Sequence, residues 1–252
     1  MVKHRKIDVI YMGEANPDVD IYPIIPEIKD NPDGFYTSCI NSMLSNPDRT
    51  TEDVIEEYFE ERGRKLADYE MLEIYIQVSR FIESKVRRIY KLAGMHALDR
   101  TGIHVEIYGG GWEDKEEPYS DNIVIHERIS PQKLLEKLCD AKISLCYTPW
   151  FKRGCSEKNF DSMLNGAVCV TDKTEYLKEK YTDGKNIVYF DLNDPEQMAA
   201  DVKWLLEHTE YMERIAAEGY NTAKTYDSWE KRYEYICGIM ISDLQTDLIA
   251  DR

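Results

Sequence analysis

The chain has 252 residues, with 32 Lys and Arg against 48 Asp and Glu, a formal net charge of −16. Such acidity excludes a general nucleic-acid binder, which needs a basic face to displace counterions from phosphates. With 42% hydrophobic and 11% aromatic residues the chain can bury a core, so wholesale disorder is excluded, and its length suits one large or two small domains.

No apolar run reaches the roughly 20 residues that span a bilayer. The N-terminus, Met1 to Asp8, carries basic residues followed by only a short apolar stretch and does not read as a signal peptide. The expected location is the cytoplasm, with thiols reduced. The six cysteines (Cys39, Cys139, Cys146, Cys155, Cys169, Cys237) form no C-x-x-C pair, and no His stands at ligand spacing, so neither a zinc site nor a disulfide framework is expected.

In chain order, Ile7 to Met12 is the first strand, ending at Gly13. Residues 14–62 hold five prolines (Pro17, Pro23, Pro26, Pro32, Pro47) and an acidic helix at Thr51 to Glu61, and read as a long connection with short helices capping one edge of a sheet. Met71, Ile74, Tyr75, Val78, Ile82, Val86, Ile89 and Ala93 recur at one, three and four, marking one face of a long helix. Strands follow at Ile103 to Tyr108, Ile123 to Ile125, Ile143 to Tyr147, Ala167 to Val170 and Ile187 to Phe190; several are nearly continuous in apolar residues, as strands buried on both faces are.

Between them, Ser130-Pro131 places an N-cap before a proline at the first helical position, and Asp194-Pro195-Glu196-Gln197 has the form of a capping box. Further helices are expected near 157–165, 174–181 and 210–225, and over 226–252 at the C-terminus. Strands alternating with helices predict an α/β fold, a Rossmann-like doubly wound parallel sheet of about six strands with C-terminal helices, in a single domain over 1–252.

In such sheets ligands bind beyond the carboxyl ends of the strands. Three loops qualify. One follows the first strand at Gly13-Glu14-Ala15-Asn16. A second, Gly109-Gly110-Gly111-Trp112, lets backbone approach a phosphate or sugar, or simply makes a tight exit from the sheet. It is not G-x-G-x-x-G opening a helix, since Glu113 to Pro118 is acidic and turn-like, and nicotinamide dinucleotide binding is poorly supported.

The third loop, Thr148 to Ser156, carries glycine and basic residues into a short helix whose orphan amides and dipole suit a pyrophosphate. Lys152, Arg153 and Lys158 form a local basic cluster in an acidic chain. Lys158 and Asp161, three apart, share one helix face, as a ligand-facing cation and carboxylate or as a surface ion pair of little worth.

From Val105 onward the chain resembles the C-terminal, donor-binding domain of GT-B-fold glycosyltransferases. It is most similar to the bacterial group related to spore-maturation proteins within the group 1 set. The resemblance rests on Val105-Glu106-Ile107-Tyr108-Gly109-Gly110-Gly111-Trp112, Ile129-Ser130-Pro131-Gln132-Lys133-Leu134, Ala141-Lys142-Ile143-Ser144-Leu145, Lys158-Asn159-Phe160-Asp161 through Gly166 to Asp172, and Tyr226-Asp227-Ser228-Trp229-Glu230-Lys231-Arg232. Asp8 to Gly13 resembles that domain's first strand, and the match is weakest between Glu14 and Arg62.

The resemblance implies a glycosyltransferase donor domain that binds a nucleotide-diphosphate sugar, for a retaining, metal-independent transfer to an unknown acceptor. It implies no cofactor and an acceptor domain upstream or on another chain. An Arg-x-Phe-Glu element of relatives reads Lys158-Asn159-Phe160-Asp161 here, with both charges kept in sign and changed in type. Arg153 stands where the wider superfamily often has a sugar-contacting Glu. Base recognition in relatives falls on the loop holding His126 and Arg128.

Lys158 and Arg153 are the expected catalytic cations, stabilising charge on the leaving diphosphate. Gly13, Gly109, Gly110, His126, Arg128, the amides of Cys155, Ser156 and Glu157, Asn159 and Asp161 are the expected donor-binding groups. Asp18-Val19-Asp20 spells the Asp-x-Asp of metal-dependent GT-A transferases but comes too early in the chain and reads as a turn, and no metal site is expected. Cys155 has no neighbouring His to activate it. The competing reading is a non-catalytic nucleotide-sugar-binding or scaffolding domain, motivated by the departures at Arg153, Lys158 and Asp161. A flavodoxin-like nucleotide binder is a third, disfavoured by Glu14 after the first strand.

Overall fold

The computed structural model describes residues 2–16, 21–113 and 117–250; Asp18-Val19-Asp20 and part of the acidic turn after Trp112 lie outside them. The six expected strands are present as β1 (Ile7–Met12), β2 (Val105–Tyr108), β3 (Ile123–His126), β4 (Ala141–Cys146), β5 (Val168–Asp172) and β6 (Val188–Phe190). They form one parallel sheet in the order β3-β2-β1-β4-β5-β6. This is the Rossmann order, and its direction reverses between β1 and β4, where a crevice opens beyond the strand ends.

The helices are α1 (Pro32–Ser45), α2 (Thr51–Glu60), α3 (Asp68–Arg100), α4 (Pro131–Cys139), α5 (Glu157–Leu164), α6 (Glu175–Lys180), α7 (Pro195–Glu207), α8 (Thr209–Tyr226) and α9 (Trp229–Ala250). Alternation along the strands feeds two faces. Val9, Tyr11, Val105, Ile107, Ile143, Leu145, Val168 and Val170 join one core with the sheet-packed half of α3 and with α7. Ile10, Met12 and Tyr108 join a second with Leu138 of α4, and Cys146, Cys169 and Tyr189 a third with Phe160 and Met163 of α5. Full burial of so many apolar side chains is the main force holding the sheet.

Two expectations need correction. The helices between β1 and α3 do not cap an edge of the sheet. Phe35, Tyr36, Cys39 and Met43 of α1 and Val54, Ile55, Tyr58 and Phe59 of α2 pack on Ile74, Val78 and Ile82 of α3, in continuity with the main core. A three-helix lobe results, with α3 extending from it onto the sheet. The cause is the length of α3, 33 residues, about 50 Å at 1.5 Å per residue: the sheet covers only part of it, and its remaining apolar stripe needs other partners. Ile89, expected on that stripe, is exposed. The second correction is at α7. Asp194 caps it by accepting from the Gln197 amide at 3.0 Å, but the Gln197 side chain donates to Asp201 at 2.8 Å instead of turning back to the cap.

The loop from β4 to α5 is anchored by a buried ion pair. Lys152 Nζ donates to Asp172 Oδ2 at 2.5 Å and to the Lys173 carbonyl at 3.2 Å, while Asp172 Oδ1 accepts from the Thr148 amide at 2.6 Å. Lys152 and Asp172 are 4% and 1% exposed, so removing one partner strands the other charge without water. Lys152→Met is expected to cost about 3–5 kcal/mol in urea unfolding. Its neighbour's substitution, Arg153→Ala, breaks only an exposed pair and is expected to cost less than about 1 kcal/mol; equal losses would refute this assignment.

Candidate functional site

The loops after β1 and β2 are joined directly. The Gly13 amide donates to the Tyr108 carbonyl at 3.0 Å and the Ala15 amide to the Gly110 carbonyl at 3.1 Å. Trp112, fully buried, donates from its indole Nε1 to the Gly13 carbonyl at 2.9 Å and meets Tyr11 edge-on at 5.1 Å. Gly109 has φ +154°, and a Cβ there would lie 2.3 Å from the Gly13 oxygen. Only glycine fits at this approach.

Above this junction lies a cleft of about 690 Å³, at the switch point between β1 and β4. Met12 to Glu14 and Asn16 enter it from β1, Tyr108 and Gly109 from β2, and Glu157, Lys158 and Asp161 from the first turns of α5. Arg128, Ile129, Pro131, Leu134 and Leu135 supply a largely apolar wall at the start of α4. Lys158 Nζ donates to the Met12 carbonyl at 2.6 Å. Gly13 accommodates that ammonium, since a Cβ would come within 2.9 Å of it.

A second cation enters from the opposite side. Lys91 of α3 is 6% exposed and donates to the Glu14 carbonyl at 2.8 Å and to Asn16 Oδ1 at 2.6 Å. Burial, reinforced by Arg87 and Lys158, pulls its pKa down to about 7. Asn16 adopts φ +76°, a left-handed conformation that only Asn, Asp and Gly accept readily, and this aims its side chain at Lys91. Neither ammonium is paired with a carboxylate of the described residues; both rest on neutral oxygens. Across the mouth, Arg128 pairs with Glu14 at 2.9 Å, both exposed. Asp161 is half-buried, and burial raises its carboxyl pKa, with Glu157 adding and Lys158 opposing.

The structure brings Gly13, Gly109, Arg128, Glu157, Lys158 and Asp161 to one cleft, and Gly110 flanks it through the Ala15 bond. Five other expected residues lie outside that lining. Arg153 points away, its guanidinium 2.7 Å from Asp53 of α2, so the basic cluster read from the sequence disperses in three directions, with only Lys158 in the cleft. Asn159 is fully buried and turned inward: Oδ1 accepts from the Ser156 amide at 3.1 Å and Nδ2 donates to Thr171 Oγ1 at 3.1 Å.

Ser156 is the N-cap of α5, with its amide spent on that capping box and its hydroxyl accepting from the Lys158 amide at 3.4 Å. The thiol of Cys155 is half-buried, and burial pushes its pKa up to about 11, the opposite of a nucleophile. His126 stacks on Tyr108 at 4.5 Å, with Nε2 3.3 Å from Glu106 Oε2, beneath the cleft wall and not in its lining.

Lys91 escaped the sequence reading, and Asn16 was placed there only as part of the loop after the first strand. Lys91 sits four residues before Met95 and seven before Leu98, both fully buried, so it interrupts the apolar stripe of α3 with a cation. Lysine is almost never buried without purpose, and that interruption was the available signal.

Residues 87–238 match the family described as glycosyl transferase-like. No curated sequence matches the chain. Among solved structures, it is similar to TarM, with 17% identity over 60% of this chain and 31% of that one, TM-score 0.47. It is also similar to Anabaena Alr3699/HepE in complex with UDP-glucose, with 12% identity over 60% and 46%, TM-score 0.49. A third is the C-terminal domain of a group 1 family glycosyl transferase, LpcC, from Francisella tularensis, with 12% identity over 56% and 80%, TM-score 0.46. The chain thus spans less than half the length of the first two. The family match runs from the sheet-packed half of α3 into α9 and includes Lys91, Gly109, Arg128, Lys158 and Asp161. The chain belongs to the glycosyl transferase-like family.

Proposed function

We propose that this chain is the donor-binding part of a glycosyltransferase and takes a nucleoside-diphosphate sugar in the cleft between β1, β2 and α5. The observation that carries this reading is the pair of ammonium groups, Lys91 and Lys158, entering one cleft from opposite elements with only neutral oxygens as partners. A diphosphate between them replaces no carboxylate and gains two charge-assisted contacts. Asp161, one turn along α5 from Lys158, faces the ribose hydroxyls as an acceptor, and the apolar wall of Ile129, Pro131 and Leu134 receives the base.

As the glycosidic bond breaks, charge grows on the departing diphosphate, and cations already fixed there stabilise it without reorganisation. The two lysines supply this compensation, so the reading requires no metal. Retention of configuration, and a partner domain that completes the cleft from outside this chain, follow from the resemblance to GT-B donor domains.

A thermal-shift series with UDP, GDP, ADP and TDP tests the reading. At a hundredfold excess over Kd, the binding nucleotide is expected to add about 2.7 kcal/mol, and no shift with any of them at millimolar concentration would refute it. Lys158→Ala and Lys91→Met are each expected to weaken binding about tenfold to a hundredfold, the range of a charge-assisted bond. Arg153→Ala is expected to leave it unchanged.

Lys91 adds a pH signature. An anion favours its protonated form, so affinity is expected to fall as pH rises above about 7, and Lys91→Met to flatten that slope. Stability runs the other way. Between about pH 7 and lysine's ordinary value of 10.5 the unfolded chain holds more protons than the folded one at Lys91, so folding stability gains with pH there. Urea unfolding of the wild type is expected to show that rise relative to Lys91→Met; parallel profiles would contradict the buried, cleft-facing placement.

A further inference from the structure

The charges that line the cleft balance when Lys91 is protonated: Lys91, Arg128 and Lys158 stand against Glu14, Glu157 and Asp161. Glu14 is paired with Arg128 at 2.9 Å, and Asp161 is the acceptor for the ribose in the donor reading. Glu157 is the carboxylate left over. Among the described residues it has no hydrogen bond or ion pair. It lies one turn before Asp161 on the same face of α5. The two carboxylates feel one another, since Glu157 helps hold the Asp161 carboxyl above its ordinary pKa.

The start of α5 is also closed to a further anion. Helix N-termini attract anions through free amides and the dipole. Here the Ser156 amide is bonded to Asn159 Oδ1 at 3.1 Å, and the Ser156 hydroxyl accepts from the Lys158 amide at 3.4 Å. Glu157 itself sets a carboxylate at the positive end of the helix. With the nucleoside beside Asp161 and the diphosphate at Lys158 and Lys91, whatever follows the second phosphate continues along α5 towards Glu157.

We propose that Glu157 selects what the diphosphate carries: the cleft takes an uncharged or cationic sugar and rejects an anionic group in its place, a uronate carboxylate or a third phosphate. The inference rests on the donor reading above and deepens it. Two ammonium groups match a diphosphate diester, which carries one negative charge on each phosphate. A nucleoside triphosphate has the same base, ribose and first two phosphates as the donor, so the groups that hold those parts cannot refuse it. Refusal needs a repulsive group beyond the second phosphate, and Glu157 is a carboxylate placed there without a cation to neutralise it.

Titration calorimetry on the full chain, in metal-free buffer below about pH 7 where Lys91 holds its proton, tests this. UDP is compared with UTP, GDP with GTP, ADP with ATP and TDP with TTP, so the third phosphate probes the sugar position whichever base is taken. The diphosphate that binds is expected to do so about tenfold more tightly than its triphosphate, the size of one like-charge contact at a partly wet site. Glu157→Gln keeps the side-chain shape without the charge and is expected to narrow that ratio to about threefold or less by tightening the triphosphate. Glu157→Lys is expected to reverse the preference. Glu56→Gln removes the same charge from an exposed position on α2 outside the cleft, and is expected to leave the ratio unchanged.

A triphosphate that binds the wild type as tightly as its diphosphate overturns the proposal. So does a ratio that Glu157→Gln leaves in place, or that Glu56→Gln narrows equally. A glutamate that only stabilises the helix start affects both nucleotides alike and leaves the ratio in place. Failure of the donor reading shows separately, as absence of binding by all four diphosphates.

Discussion

The close approach of the backbone at Gly13 and Gly109 is the constraint on which the site depends. Two neighbouring parallel strands end together, and the loops that leave them are bonded to one another before they diverge. A side chain at Gly109 would overlap the Gly13 carbonyl, and one at Gly13 would meet the Lys158 ammonium. The glycines thus set both how near the loops lie and where a cation stands. Trp112 fixes the same carbonyl from below, so the cleft floor is held by a buried indole and not by flexible loop contacts. A rigid floor of this kind suits a site that must hold charge in place before the ligand's own charge develops.

The cations are arranged by the same logic. Most basic side chains near α5 are neutralised: Lys152 by Asp172, Arg153 by Asp53, Arg232 by Asp227. Lys158 and Lys91 are left on carbonyl and amide oxygens. Keeping a lysine buried against two other cations is destabilising, and the left-handed Asn16 beside it adds strain. Concentrating unfavourable features in one cleft is characteristic of sites kept for binding and chemistry rather than for stability.

Much of the fold was legible because its signals are local or periodic. Strands buried on both faces are apolar over most of their length, and β1 and β4 to β6 show it despite Asp8, Lys142, Ser144, Thr171 and Asp172; the caps Ser130 and Asp194 mark helix starts with one residue each. Lys158 and Asp161 were legible as site residues because helical spacing alone puts them on one face. The loop before them has no such periodicity, and so Lys152 and Arg153, adjacent in sequence, turn to opposite partners. Asn159 misled for a different reason: a polar residue suggests solvent or ligand, whereas the inner face of α5 meets a polar seam of Ser144 and Thr171, where Ser162 bonds Ser144 at 2.7 Å. Periodicity likewise showed an apolar face on α3 but not that α1 and α2 would cover it, since partner choice depends on contacts far apart in sequence.

The single continuous helix α3 has a mechanical consequence. One half is clamped between α1 and α2, and the other carries Lys91 into the cleft across the packed face of the sheet. Among the described residues α3 runs without a break, so the two ends share one backbone. The packing of the lobe and the position of the cleft ammonium are therefore carried by one helix. A substitution that loosens the apolar contacts of Ile74, Val78 or Ile82 thus acts on the same element that bears Lys91.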